Sequence, residues 1–347
     1  MKKGSRFLWL LLFTLAVSLI LGDSRKITPF TWAASDPAPK LPPVLSFATA
    51  AEGTSSYIVG GAFASILKKY LSIKVAIEPS GAANRWVPLM ARQEVDFGIH
   101  CSYPDMHDAY YGFLGYKQMG PQPVLSFADG HIVPWGLISN DANIKTVYDL
   151  KGKRLYGKLV GQSLYERGVP ALLSAAGLTG QVEVLAFPNV GEAARGLAEG
   201  RAEAVVYLPT VAPLLEVSRT SRLYAVAVPK EVVDKVNKIE PSIMYGVWKK
   251  GEAFAAQDTP SMFFGCGMVV RETLSPAVVS TILKTIYDHY DEYKGSHSVL
   301  PEWTAENGIR IHVTPFHAGA VRYYKEKGLW TAQVEKRNQE LIARRRR

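Results

Sequence analysis

Cys101 and Cys266 are the only two cysteines in 347 residues, so neither a disulfide scaffold nor a cysteine-rich zinc site holds this chain together. Each lies in an apolar stretch, Phe97 to Cys101 and Phe263 to Val269, that reads as a buried strand. Two separate buried thiols are the expectation, with a disulfide the alternative in an oxidising compartment. The seven histidines lack ligand spacing, and no HExxH, CxxC or GxSxG motif occurs, so no metal, cofactor or catalytic residue is expected. Gly152 to Lys158 spells most of a phosphate-binding loop, but Leu159 stands where a Ser or Thr belongs and the segment reads as a strand. No internal repeat of about 20 to 50 residues is present, which excludes a solenoid.

Positive charge is scarce where a polyanion would need it. The net charge is +9, yet residues 1–34 carry +4 and Arg344 to Arg347 another +4, leaving +1 for the body. Without a basic face interleaved with aromatics, nucleic acid is excluded as a partner. The arginine tail reads as a frayed, solvated end.

Long apolar runs are absent too, apart from Phe7 to Leu21, which follows Lys2, Lys3 and Arg6. Its 15 residues fall short of the roughly 20 that span a bilayer. The segment reads as an export signal occupying residues 1–34, cleaved after Ala33 or Ala34, with a retained membrane anchor as the alternative. A periplasmic location follows from export. Residues 35–43 are a Pro-rich spacer that cannot continue a helix or a ladder.

What is present is an alternation of strands and helices. Strands are expected at Val44 to Thr49, Lys74 to Glu78, Val95 to Cys101, Ile132 to Ser139, around Leu155, Val182 to Phe187, Ala204 to Leu208 and Phe263 to Val270. Helices are expected at Tyr57 to Tyr70, Ser80 to Met90, Pro104 to Phe113, Tyr165 to Ala176, Gly191 to Glu199, Ser275 to about Tyr293 and Ala318 to Lys327. This order predicts an α/β protein with parallel sheets and helical crossovers. Two lobes are expected, residues 44–130 with 264–347 and residues 131–263, the chain crossing near 128–135 and returning near 258–266.

Several segments resemble a known family. Thr49-Ala-Ala-Glu-Gly-Thr-Ser-Ser-Tyr-Ile-Val-Gly-Gly61 is similar to the first loop of TAXI-type solute receptors of TRAP (tripartite ATP-independent periplasmic) transporters. Ser80-Gly-Ala-Ala-Asn84, Asp149-Leu-Lys-Gly-Lys-Arg154, Ala198-Glu-Gly-Arg-Ala-Glu-Ala204 and Thr314-Pro-Phe-His-Ala-Gly-Ala-Val-Arg-Tyr-Tyr324 agree with that family in order. The resemblance implies a type II periplasmic-binding-protein (Venus-flytrap) fold with a hinge between its lobes. It also implies a receptor, not an enzyme, that closes on a small carboxylate, an organic anion or amino acid, and hands it to membrane permease subunits. An anchored ligand sensor of the same fold is the alternative, favoured by a retained amino-terminal helix.

Candidate ligand contacts follow from loops that end at helix N-termini, where unpaired N–H groups favour an anion. Gly53 permits close approach, Thr54, Ser55 and Ser56 offer hydroxyls, and Tyr57 offers its ring and phenol. Ser80 and Asn84 mark a second helix start, with Ser80 as a plain N-cap the alternative. His100 and Ser102 follow a strand end, where sheet ligands sit; Asp105 could cap the next helix. In the second lobe Ser163 and Glu166 match the family's loop, whereas Thr54, Ser56, Gln162, Leu164 and Tyr165 depart from its pattern. Tyr165 is nonetheless a candidate contact, as are Tyr207 and Thr210 at the end of a strand.

Overall fold

The computed structural model describes residues 39–50, 52–80, 83–100, 103–159, 162–310 and 312–345, His100 by its backbone alone. The expected export signal, most of the spacer, Cys101, Ser102 and the last two arginines lie outside the described residues. Among the described residues no helix is long and apolar enough to cross a membrane.

The chain opens with β1 (Val44–Thr49), α1 (Ser55–Leu71), β2 (Lys74–Pro79), α2 (Ala83–Ala91), β3 (Phe97–His100) and α3 (Tyr103–Tyr111). Helical spacing places Val59, Phe63, Ile66 and Leu67 of α1 on one buried face, which covers the sheet. Left-handed Ser72 stops the helix after Lys68 and Lys69, basic residues suited to a C-terminal dipole end. A 16-residue strand, β4 (Val124–Ser139), leads to a 3-10 turn at Val147–Leu150 closed by a Thr146–Asp149 capping box. Then come β5 (Arg154–Leu159), α4 (Ser163–Ala175), β6 (Glu183–Phe187), α5 (Val190–Ala198), β7 (Ala204–Tyr207) and α6 (Ala212–Val217). The order continues through β8 (Tyr224–Val226), α7 (Lys230–Ile239), β9 (Met244–Trp248), β10 (Thr259–Arg271), α8 (Pro276–Asp288), α9 (Tyr290–Tyr293), α10 (Ala318–Glu326) and α11 (Ala332–Arg345). The phosphate-loop lookalike is therefore turn and strand. The single helix expected from Ser275 to Tyr293 is broken at His289.

The strands run in the order β2-β1-β3-β10-β4-β7-β5-β6, with β8 on β4 and β9 on β10. β1 pairs in parallel with β2 and β3, and β5 with β6 and β7, which requires helical crossovers. β4 and β10 are antiparallel and long enough to serve both halves. Beside Gly267–Val270 of β10 lies β3, and beside Gly136–Ser139 of β4 lies β7. The β10–β4 ladder is irregular here, with register shifts at Gly265/Gly267, where the β3-paired stretch begins, and at Met268/Val269 within it. The cores separate at this crossing. One buried apolar cluster draws on Trp135 to Phe264, and the other two draw on residues up to Ala128 and from Cys266 onward. The architecture is two-lobed α/β, as expected.

Two expectations are corrected. Cys266 is fully buried and disulfide-bonded, so two separate thiols is the wrong reading; a small apolar segment hides a thiol and a disulfide equally well. The arginine tail is not simply frayed: Arg344 and Arg345 continue α11, and the Arg345 guanidinium lies 4.4 Å over the Tyr110 ring, a cation–π contact.

Candidate functional site

Strand ends and helix starts meet where α3 of the first lobe faces α4 of the second. α4 begins with an uncapped turn, for its N-cap Gln162 makes no side-chain cap bond. The first N–H groups of a helix have no partner inside it. Here the Ser163 N–H donates to Asp105 Oδ1 at 2.9 Å, so a carboxylate carried by the first lobe caps the helix of the second. One turn further on, Arg167 Nη1 donates to Asp108 Oδ1 at 2.6 Å and Nε lies 2.8 Å from Glu240 Oε2. The Asp108 side chain has no exposure and that of Glu240 only 2%. Two buried carboxylates thus share one guanidinium across the lobes, an arrangement that burial makes costly to break. His107 Nδ1 lies 3.2 Å from the same guanidinium.

Between these helices is a cavity of about 40 Å³ lined by Ala83, Asn84, Asp105, Gly115, Tyr116, Gln162, Ser163 and Glu166. That is room for about three waters at roughly 10–15 Å³ each, far below the usual ligand pocket of about 300–1,000 Å³. A solute of several heavy atoms enters only if α3 and α4 separate. Tyr116 is 3% exposed and its hydroxyl has no hydrogen-bond partner among the described residues. Burial, then the charges of Asp105 and Asp108, hold its phenol protonated well above the ordinary value.

Of the sequence-derived candidates, Asn84, Ser163 and Glu166 come together on this cavity. Loop 53–57 is built as a separate helix start. Gly53 takes φ +78°, the left-handed region that glycine enters without strain. Thr54 caps α1, its hydroxyl accepting from Tyr57 N at 3.4 Å. Ser56 is buried and accepts from Ala50 N at 3.1 Å, so its hydroxyl serves the loop itself. Ser55 and Tyr57 are partly exposed beside it. The Ser80 hydroxyl donates to the Glu78 carbonyl at 3.2 Å. His100 ends β3, its backbone registered with Gly267. Tyr165 instead enters the core of the second lobe, its hydroxyl donating to Val206 O at 3.0 Å and its ring edge-on to Trp135 and Phe187. Tyr207 packs against the same aromatic cluster, and Thr210 is exposed.

Sequence reading passed over Tyr116, Asp108, Arg167 and Glu240. Nothing in the sequence pairs residues 59 and 73 positions apart. The only local signal was Asp105 and Asp108 at i, i+3, which places two carboxylates on one helical face. Near the crossing strands, the Tyr103 hydroxyl donates to buried Asp129 Oδ1 at 2.7 Å, and Trp303 Nε1 donates to His131 Nδ1 at 3.1 Å. Among the described residues no group of three or more His, Cys, Asp or Glu could hold a metal ion.

Solved structures with a similar course of chain include an ancestral arginine-binding protein bound to arginine, 19% identical, with a TM-score of 0.43, covering 76% of this chain and 99% of that one. The periplasmic aliphatic sulphonate binding protein of Escherichia coli is 13% identical, with a TM-score of 0.46, covering 82% and 83%. A probable amino-acid ABC transporter extracellular-binding protein of Bacillus subtilis is 14% identical, with a TM-score of 0.43, covering 74% and 97%. No curated protein matches the sequence. The family model described as NMT1-like matches residues 47–328, and on that span the chain belongs to the NMT1-like family.

Proposed function

We propose that this protein is an exported solute receptor of the periplasm that takes a small carboxylate-bearing solute between two lobes and passes it to a TRAP-type permease. The observation that carries the reading is the cavity shared by α3 and α4, with Ala83, Asn84, Asp105, Gly115 and Tyr116 on one side of its lining and Gln162, Ser163 and Glu166 on the other. A solute touching both sides would favour the lobes' approach, because a ligand shifts a conformational equilibrium only through contacts that differ between its states. We place the lobe boundary at the crossing strands, with residues 44–130 and 264–347 on one side and 131–263 on the other. The solute's carboxylate would lie toward loop 53–57, where the start of α1 offers backbone N–H groups, a positive dipole end and the partly exposed Ser55 and Tyr57. No chemistry is assigned to the chain itself. The resemblance of the first loop and of the His317 segment to TAXI receptors supports delivery to a TRAP system.

The test is a thermal-shift screen against small mono- and dicarboxylates and amino acids, followed by calorimetry and recovery of the hit. A true ligand at 100 times its Kd adds about 2.7 kcal/mol, and it is recovered chemically unchanged. Conversion of the hit would show an enzyme instead, and the absence of any shift would move the reading to an anchored sensor awaiting a partner.

A further inference from the structure

The loop that joins α3 to β4 is pinched at its neck and carries apolar side chains beside it. Gly112 takes φ +75°, and a Cβ there would stand 2.8 Å from Pro121 N and 2.9 Å from Gly120 C, so glycine lets the two ends of the loop touch. Next to this neck Phe113 and Met119 are 47% and 46% exposed, with exposed Lys117 between them in sequence. The Phe113 ring stacks on Tyr111, centroids 5.8 Å apart and planes 21° apart. The Tyr111 hydroxyl in turn donates to Leu341 O at 2.9 Å, which ties the apolar pair to α11.

α11 brings cations to the same place. The Arg345 guanidinium lies over Tyr110, donates to Gln122 O at 3.4 Å just past the loop, and stands 3.7 Å from Glu272. Burial raises the Tyr111 phenol while the charges of Arg344, Arg337 and Arg345 oppose that rise, so three guanidiniums lie within electrostatic reach of one ring. Burial and then the Arg344 charge depress the Arg337 guanidinium. The helix dipole favours the two arginines of the last turn. It does not account for Arg337 two turns earlier, for Lys117 on another element, or for two large apolar side chains left in solvent beside them.

We propose that Phe113, Met119 and Lys117, together with Arg337, Arg344 and Arg345, form a docking site for a bilayer surface that contains anionic phospholipid. Guanidinium groups match phosphate oxygens with paired hydrogen bonds. Apolar side chains that protrude between cations enter the boundary between headgroups and acyl chains, and the cations add attraction to the anionic surface. An acidic protein would offer the same charge, but an interface of about 800 Å² per partner asks for a broader apolar centre than two side chains on one loop. The site concerns where the protein sits and is independent of which solute it takes.

Hydrogen exchange read by mass spectrometry on the full-length chain tests this, because it reports contact at the site separately from any contact made by residues 1–34. Vesicles of equal parts phosphatidylcholine and phosphatidylglycerol should slow exchange in residues 112–120 and 336–345, and vesicles of phosphatidylcholine alone should not. Phe113→Ser with Met119→Ser should raise the lipid concentration needed for half protection about tenfold. Lys117→Gln with Arg344→Gln, both at exposed positions, should raise it about 25-fold at low salt, taking roughly fivefold per cation, and the difference should shrink as salt is added. Melting temperatures equal to that of the parent establish that the variants are folded. Unchanged exchange with the mixed vesicles, equal protection by both kinds of vesicle, or parent-like protection in both variant pairs would overturn the proposal. Protection by polyglutamate but not by vesicles would overturn it in favour of an acidic protein partner.

Discussion

Arg167 is the side chain on which most converges. It neutralises Asp108 and Glu240, both hidden from solvent, and its removal strands two buried charges. Arg167→Met is expected to cost about 3–5 kcal/mol, measurable as a fall in the urea midpoint without loss of slope. Ser163 is 6% exposed where the lobes touch. Ser163→Trp is expected to hold α3 and α4 apart, abolishing solute binding in calorimetry while leaving the far-ultraviolet circular dichroism of the wild-type protein; unchanged affinity would remove Ser163 from the site. Both residues are unremarkable in the sequence. Ser163 was read through its loop, and Arg167 was passed over because nothing local announces a partner that arrives only when two lobes meet.

At the scale of elements, the helices and strands that bury a regular apolar face were legible. β1 runs over the expected residues Val44–Thr49, and α1 begins two residues before the expected start. Elements whose burial is irregular were read short or missed. The first half of β4 contains Ser126, Asp129 and Gly130, which break a hydrophobic pattern, yet all three are buried. Ser126 is satisfied by Thr314, and Asp129 by Tyr103. Such partners lie far along the chain and leave no periodic trace. α11 buries only Asn338 and Leu341; what anchors it is a hydrogen bond from Phe316 N to Asn338 Oδ1 at 2.8 Å, which no propensity scale records. The site followed the same rule: helix-start residues could be nominated from loops, whereas Tyr116, placed by a 3-10 turn at Leu114–Tyr116, could not.

For the whole molecule, two buried histidines set an acid limit. Desolvation, with smaller contributions from neighbouring cationic groups, lowers His131 and His312 from 6.5 to about 4. The unfolded chain therefore binds protons that the folded chain refuses between these values. Stability is complete above about pH 6.5 and falls as the pH drops toward 4, by on the order of 3 kcal/mol per histidine. Melting temperatures at pH 7.5, 5.5 and 4.5 should descend through this window, and His312→Phe should flatten the descent; a flat profile in the parent protein would refute the assignment. The crossing strands carry a different consequence, one of timing. The second core is assembled from Trp135 to Phe264, a continuous stretch. The first requires Leu45, Phe47 and Phe97 from the beginning of the folded body together with Met268, Ile282 and Tyr324 from near its end. As the chain leaves the ribosome, or a translocation pore, the later lobe in sequence can complete its core while β1 to β3 wait, unpaired on the β10 side, for the last third to arrive. The fold thus has a built-in interval in which its earliest strands are the ones most exposed to pairing with the wrong neighbour.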